Sequence, residues 1–375
     1  MMVRDYLKLL IGWIAIFVSG FLLLASFDAF AFVGAAIMVG VLLVASSLSA
    51  ALILILKPLL LRYALARPNA RSSHKIPTPQ GGGIAVVGAA LITVLILASV
   101  LKSSYGGLQP FLVLAGASIA LAALGAVDDI RPLPAGMRLL LQAAAVTAVI
   151  ITSGIRILPD WIPPSLEQAL LIFGGVWFVN LVNFMDGLDW ITVAEMVPVT
   201  ASVAILSEMT YQPFPVAIVA IALSGALLGF APFNKPAARL FLGDVGSLPI
   251  GLIVGWLLLQ FAGKGALIAA LLLPLYYLMD ATITLFRRLA KRERVWEAHR
   301  SHFYQRATDN GFSVMSVVTH VFVLNLALAA LAAVTLVWPS APVQISALLA
   351  GVLLVGFVLR RFSHPRVTAS LEASR

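Results

Sequence analysis

The chain has 375 residues, of which 61% are hydrophobic and 11% charged, with no cysteine and a formal net charge of +9. Soluble domains run at roughly half apolar and about a quarter charged, so this composition excludes an ordinary soluble enzyme, a disordered chain and a disulfide scaffold. A membrane β-barrel keeps a modest hydropathy, unlike the mean hydropathy of +1.03 found here, which leaves an all-α, polytopic transmembrane helical bundle.

Apolar runs between charged or Pro/Gly-rich breaks predict about twelve spans, at residues 9–27, 34–61, 83–101, 111–127, 138–154, 168–184, 190–208, 215–231, 247–262, 265–282, 313–337 and 341–359. Residues 9–27 lack a small-residue cleavage site before Asp28 and read as a retained helix. A single domain is expected over 1–375, with its core at about 34–337, the extra span 9–27 before it and a cytoplasmic tail at 360–375. Of the 25 Lys and Arg, only Lys102, Arg156 and Lys264 fall on one set of loops. The positive-inside rule then puts both termini in the cytoplasm. Topology accounts for the positive charge without a nucleic-acid partner.

Topology does not account for the acids. Six of the 16 Asp and Glu, namely Asp128, Asp129, Asp186, Asp189, Asp244 and Asp280, lie in or beside apolar runs at predicted cytoplasmic helix ends. Carboxylates at a membrane boundary are costly unless paired or metal-bound. Their gathering on one side, from distant stretches of chain, predicts one shared active site at the cytoplasmic face.

In chain order, the first polar segment reads Arg71-Ser72-Ser73-His74-Lys75-Ile76-Pro77-Thr78-Pro79-Gln80-Gly81-Gly82-Gly83. Its prolines stiffen it and its glycines let backbone approach backbone or ligand. Arg, Lys and backbone N–H groups suit phosphate oxygens; a stiff basic loop against anionic lipid headgroups is the competing reading. Asp128 and Asp129 close an apolar run. Adjacent carboxylates repel, so either a cation or general-base site, or a cap salt-bridged to Arg131 or Arg138, is expected. Asn180, Asn183, Asp186 and Asp189 recur at i, i+3, which ends a membrane helix in a polar pocket. Gly243 and Gly246 flank Asp244 and leave room for a ligand. Asp280 precedes Arg287, Arg288 and a basic stretch through Arg294, then His299-Arg300-Ser301-His302, where hydrogen bonding to phosphate or sugar fits better than metal ligation. His320 and Asn325, inside a run, are expected to hydrogen-bond between helices. This Asp-rich, His-poor set suits Mg2+, with Mn2+ as its substitute, because Mg2+ takes one or two carboxylates plus waters and substrate phosphates. With Lys and Arg nearby, that chemistry is phosphoryl transfer.

These pieces, in this order over residues 71–306, resemble the polyprenyl-phosphate N-acetylhexosamine-1-phosphate transferases (glycosyltransferase family 4). These bacterial enzymes start O-antigen, enterobacterial common antigen and teichoic acid synthesis and are related to phospho-MurNAc-pentapeptide transferase. The resemblance implies transfer of HexNAc-1-phosphate from a UDP-HexNAc to undecaprenyl phosphate, with release of UMP, dependence on Mg2+ and residence in the bacterial inner membrane. It makes Asp244 a metal ligand and Asp128 the base or nucleophile and second metal ligand, with Asp129 its partner near the lipid phosphate. Asn183 and Asp186, with Asn180 and Asp189 beside them, shape the nucleotide and metal site. Lys75 contacts phosphate, Arg287 joins the substrate-binding set, and His299, Arg300 and His302 recognise the sugar. Two places depart from the pattern. Relatives commonly read Gly-x-Asp-Gly where Trp190 follows Asp189, and the last motif is His-Arg-Ser-His-Phe-Tyr. That motif looks most like the O-antigen enzymes accepting 6-deoxy sugars such as FucNAc or QuiNAc, with GlcNAc the alternative. A lipid or sugar transporter would put ionisable groups at the bilayer midplane, often in repeated halves, whereas here the six acids sit at one predicted face and no internal repeat is found. The enzyme is expected to act among membrane lipids, a homodimer being compatible with it.

Overall fold

The computed structural model describes residues 29–66, 77–100, 109–210, 214–294 and 299–366. The expected span 9–27, the segment Arg71 to Lys75 and the end of the tail lie outside the described residues.

Among the described residues thirteen α-helices follow in chain order: α1 Ala29–Tyr63, α2 Gly82–Val100, α3 Gln109–Ile130, α4 Ala135–Ser153, α5 Pro164–Phe184, α6 Ile191–Leu206, α7 Phe214–Asn234, α8 Asp244–Gly263, α9 Leu267–Leu272, α10 Leu275–Ala290, α11 Phe303–Asp309, α12 Val314–Val337 and α13 Ala341–Phe362. Among the described residues nine of these are long and apolar enough to cross a membrane, and α6 is a shorter apolar helix. The chain is a multi-pass helical membrane protein, as its composition dictates: in lipid every backbone N–H and C=O must be satisfied internally.

One expected span is not continuous. The run 265–282 is split into α9 and α10 at Pro274, which has no N–H for the helical ladder and sits at φ −95°, ψ 20°. Beyond the break, α10 carries Asp280 and runs on to Arg287 and Arg288.

The helices form two shells. The spanning window of α7 is buried along its whole length and that of α8 nearly so. Helices α1, α2 and α6 pack on α7, and α2, α3 and α5 on α8. A Cβ on Gly225 or Gly229 of α7 would collide with the Leu42 or Ser46 carbonyl of α1, the close backbone approach that small residues permit between membrane helices. The outer helices turn Ile55, Phe173 and Leu353 outward, toward what would be lipid.

One end of the bundle is tied by loop contacts. Strands β1 (Leu65–Ala66) and β2 (Thr78–Pro79) pair antiparallel. After β2, Gly82 N–H donates to the Phe241 carbonyl and Gly83 N–H to the Leu242 carbonyl, both at 2.9 Å. Two amides of the glycine run are therefore spent on backbone, and the glycines serve close packing against the segment that precedes α8.

Candidate active site

Helix α8 begins with Asp244, and its first N–H groups have no partner within the helix. Asp129, at the end of α3, supplies one: its carboxylate accepts from Asp244 N–H at 3.2 Å and Val245 N–H at 3.4 Å. The fit needs glycine twice. Gly243 adopts φ 76°, and a Cβ there would lie 2.6 Å from Asp129 Oδ2. A Cβ on Gly125, one turn before Asp129, would overlap the Asp244 carbonyl. The Asp244 side chain is left to accept from Asn183 Nδ2 at 2.7 Å, and the same nitrogen donates to Ser247 Oγ at 2.9 Å. This joins the end of α5 to the start of α8.

Helix α5 stops at Phe184, so Asp186 lies past its end, in the turn before α6. There Asp186 accepts from the Thr192 hydroxyl. Burial pushes its carboxyl up to about 8, aided by the charges of Asp244, Asp129 and Asp189. Three aspartates from α3, the α5–α6 turn and α8 thus share one electrostatic field. Asp189 points elsewhere, accepting from Ala238 N–H at 3.0 Å, and so braces the segment leading to Asp244.

Not every expected residue joins this cluster. Asp128 and Asp129 part company: Asp128 accepts from Leu133 N–H at 2.6 Å and from Arg138 Nη1 at 2.7 Å, which is the capped salt bridge of the two readings. Asp129 alone of the pair touches the start of α8. Asn180 donates to Gln142 Oε1 at 2.6 Å and to the Val176 carbonyl, a link from α5 to α4 one turn deeper than Asn183. Arg287 lies over the Phe303 ring at 4.5 Å, Arg300 pairs with Asp309 at 3.5 Å, and the His299 and His302 rings meet edge to face. Lys75 is outside the described residues.

The last loop is nevertheless built into the site. Asp280, fully buried in α10, accepts from Phe303 N–H at 3.0 Å and Tyr304 N–H at 3.2 Å, and lies 3.2 Å from His302 Nδ1. It caps α11 from another helix.

Three participants lie outside the motifs read from the sequence, Gln142, Thr192 and Glu195, while Tyr304 closes the His-Arg-Ser-His-Phe-Tyr motif without a role of its own assigned there. Glu195 is buried within α6, where its oxygens accept from Asn325 Nδ2 at 2.5 Å and Tyr277 N–H at 3.3 Å. An acid inside an apolar run is its signal in the sequence, although it lies away from the helix ends where the other acids gather. Asn325 does bond between helices as expected, whereas His320 Nδ1 contacts Ser316 O of its own helix.

Among the described residues no three carboxylates or imidazoles converge as a ready-made metal cage. The donor set is nonetheless all-oxygen, from Asp186, Asp244 and Asn183. It suits a hard cation that takes one or two protein carboxylates and completes its shell with water and phosphate.

On the other side of α5 and α8 lies an apolar cavity of about 320 Å³, lined among others by Val146, Trp177, Phe178, Gly251, Trp256 and Pro274. Its nearest lining residue on α8, Gly251, is two turns from Asp244, and the carboxylates do not line it.

A multi-pass helical membrane protein with acids converged at one end is the class that the fold and site define. The family model for glycosyl transferase family 4 matches residues 111–262, from α3 to the end of α8. The chain is 30% identical over 298 residues to the decaprenyl-phosphate N-acetylglucosaminephosphotransferase of Mycobacterium tuberculosis, covering 69% of this chain and 72% of that one. It is 24% identical over 302 residues to a probable undecaprenyl-phosphate N-acetylglucosaminyl 1-phosphate transferase of Bacillus subtilis, covering 76% and 82%. It is 27% identical over 281 residues to the phospho-N-acetylmuramoyl-pentapeptide-transferase of Clostridium beijerinckii, covering 68% and 81%. The chain belongs to glycosyl transferase family 4, among its membrane-embedded phosphotransferases.

Proposed function

We propose that the chain transfers a HexNAc-1-phosphate from a UDP-sugar to undecaprenyl phosphate, releasing UMP, at the cytoplasmic face of a bacterial inner membrane with both termini in the cytoplasm. The observation that carries this is the convergence of Asp129, Asp186 and Asp244, from α3, the α5–α6 turn and α8, in one electrostatic field: a carboxylate site that a hard cation and phosphates can share. The names of the relatives, which specify polyprenyl phosphates, support the same acceptor.

In this reading an acceptor phosphate oxygen attacks the β-phosphorus of the donor. A new P–O bond forms, and the bond to the α-phosphate oxygen breaks with UMP as the leaving group. A phosphate monoester has its second pKa near 6, so most of the acceptor is ionised at neutral pH without a protein base. The engaged oxygens of Asp128 and the capping role of Asp129 also favour direct attack over an aspartyl-phosphate intermediate. Asp244 and Asp186, oriented by Asn183 and Thr192, would hold Mg2+, which when bound neutralises charge on the diphosphate and on the departing UMP. Arg138, paired to Asp128, adds positive charge at the rim. The loop with His299, Arg300 and His302 receives the sugar. We take the sugar as a 6-deoxy-HexNAc such as FucNAc or QuiNAc on its His-Arg-Ser-His-Phe-Tyr sequence, and the product as the start of an O-antigen-like polysaccharide; GlcNAc, named in the relatives, is the competing donor.

The test is purified protein with undecaprenyl phosphate, Mg2+ and a panel of UDP-HexNAc donors, following UMP and lipid product. Transfer lost on chelation and in Asp244→Asn, with that variant inserted normally, is expected. Full activity in Asp244→Asn would remove the metal assignment, and no transfer from any donor would remove the function.

A further inference from the structure

The turn that carries Asp186 is held from outside its own segment. The carbonyl of Phe184, the last residue of α5, is one of the acceptors a helix end leaves unpaired. Tyr304 O–H donates to it at 3.1 Å, and Gly187 N–H donates back to the same phenolic oxygen at 3.0 Å. One hydroxyl therefore clamps the residues on both sides of Met185 and Asp186, from a position 117 residues further along the chain. Tyr277 of α10 adds a weaker clamp, its O–H reaching the Met185 carbonyl at 3.4 Å. The geometry also explains a sequence feature: a Cβ at position 187 would overlap the Tyr304 oxygen and come within 2.9 Å of Gln305 Nε2.

At its other end Tyr304 belongs to the last loop. Its backbone N–H is held by Asp280, its ring is stacked on His302 at 5.8 Å, and its side chain is fully buried. Among the described residues the Nε2 of His302 is buried without a hydrogen-bond partner, so this loop carries an unfilled polar valence two residues before Tyr304.

We propose that Tyr304 is a positioning residue that couples the His299–His302 loop to Asp186: a ligand seated on the loop fixes the tyrosine, and the tyrosine fixes the carboxylate that completes the cation site. It touches neither substrate nor metal. This rests on the function proposed above. It adds a route by which sugar recognition sets the geometry of the transfer site, so that a poorly fitting donor is penalised in turnover as well as in binding.

Tyr304→Phe keeps the ring and removes only the clamp. Partners that orient metal ligands typically cost about 10–100-fold in metal affinity or activity when removed, so Mn2+ affinity of the detergent-purified protein, read by EPR without substrate, is expected to fall about tenfold. In turnover assays the half-maximal Mg2+ concentration rises and kcat falls, while KM for undecaprenyl phosphate stays put. Gly187→Ala, which displaces the same hydroxyl from the other side, gives the same shift, and the double variant adds little to either. A merely structural tyrosine would lower the melting temperature and the yield but leave Mn2+ affinity and Mg2+ dependence of the surviving protein at wild-type values. That result, in both single variants, overturns the proposal. Wild-type protein that binds no Mn2+ and transfers nothing overturns the underlying function and this coupling with it.

Discussion

Trp190 shows what a single position can carry. It sits at φ 63°, ψ −3°, a left-handed conformation that costs a non-glycine residue about 1–2 kcal/mol. This is the place where the resemblance leads one to expect glycine, so the departure visible in the sequence coincides with a real backbone demand. The strain is offset by the side chain: indole Nε1 donates to the Ala231 carbonyl at 2.5 Å, the backbone N–H donates to Asn234 Oδ1 at 2.8 Å, and the ring closes a cavity of about 230 Å³ between α6, α7 and α12. Trp190→Gly relaxes the backbone but forfeits the ring, whose truncation costs about 3–5 kcal/mol when fully buried. The half-buried ring here makes the net effect a loss of about 1–3 kcal/mol, readable in detergent unfolding curves; a more stable variant would mean that backbone strain dominates. Asp186 makes a second prediction at this scale. An unfolded aspartate titrates near 3.9 and the folded one near 8, so between these values the folded protein binds more protons. Metal-free stability therefore falls as pH rises from about 4 to about 8 and levels off above. Mg2+ replaces the proton as the compensating charge, so its stabilisation should be larger at pH 8.5 than at pH 6. Melting curves with and without Mg2+ check this; an equal metal increment at both pH values would contradict it.

Helices were legible because an apolar run long enough to span leaves little else for the backbone to do in lipid. The limits of α2, α5, α6, α8 and α12 fall within a few residues of the expected spans, while the break at Pro274 was hidden because hydropathy averages over one proline. Pairings between elements were less legible. That Asp244 belongs to the site could be argued from charge and flanking glycines, yet that Asp129 rather than Asp128 caps its helix depends on which carboxylate α3 presents to α8. The i, i+3 spacing suggested one shared face for Asn180, Asn183 and Asp186, but the helix ends before Asp186, and the two amides bond to different helices. Tyr304 is legible as the last residue of the His-Arg-Ser-His-Phe-Tyr motif, but nothing local shows that its hydroxyl reaches the end of α5. The α3–α8 crossing can be tested with its own control. Gly125→Ala forces a methyl group against the Asp244 carbonyl, an overpacking that costs about 1–3 kcal/mol, and a shift of about 1 Å at a reacting site costs roughly 100-fold in rate. Gly116 lies on the same helix with nothing within 4 Å of where a Cβ would be, so Gly116→Ala should retain full transfer and gain up to about 1 kcal/mol from helix propensity. Equal activity in the two variants would show that the close crossing does not position Asp244.

At the scale of the molecule, charge and architecture must agree on one orientation. The end that gathers Asp129, Asp186, Asp244 and the His299–His302 loop also carries Arg131, Arg138, Lys235, Arg239, Arg287, Arg288, Arg360 and Arg361. At the opposite end Arg156 is largely neutralised: Nε lies 2.7 Å from Glu167 and Nη1 3.5 Å from Asp160, and Glu167 also accepts from Ile157 and Leu158 N–H. The positive-inside rule predicts that the basic end, with the candidate site, faces the cytoplasm, the side on which the proposed UDP-sugar donor would be met. Because the chain contains no cysteine, this can be read without first removing any. Single cysteines at the exposed positions Lys235 and Arg292 should resist a membrane-impermeant maleimide in intact cells and react only after permeabilisation. Cysteines at Asp160 and Lys264, also exposed, should react in intact cells once the outer envelope admits the reagent. The inverted pattern would put the aspartates outside, away from any supply of UDP-sugar, and would defeat the transferase reading even with every distance in the site left intact.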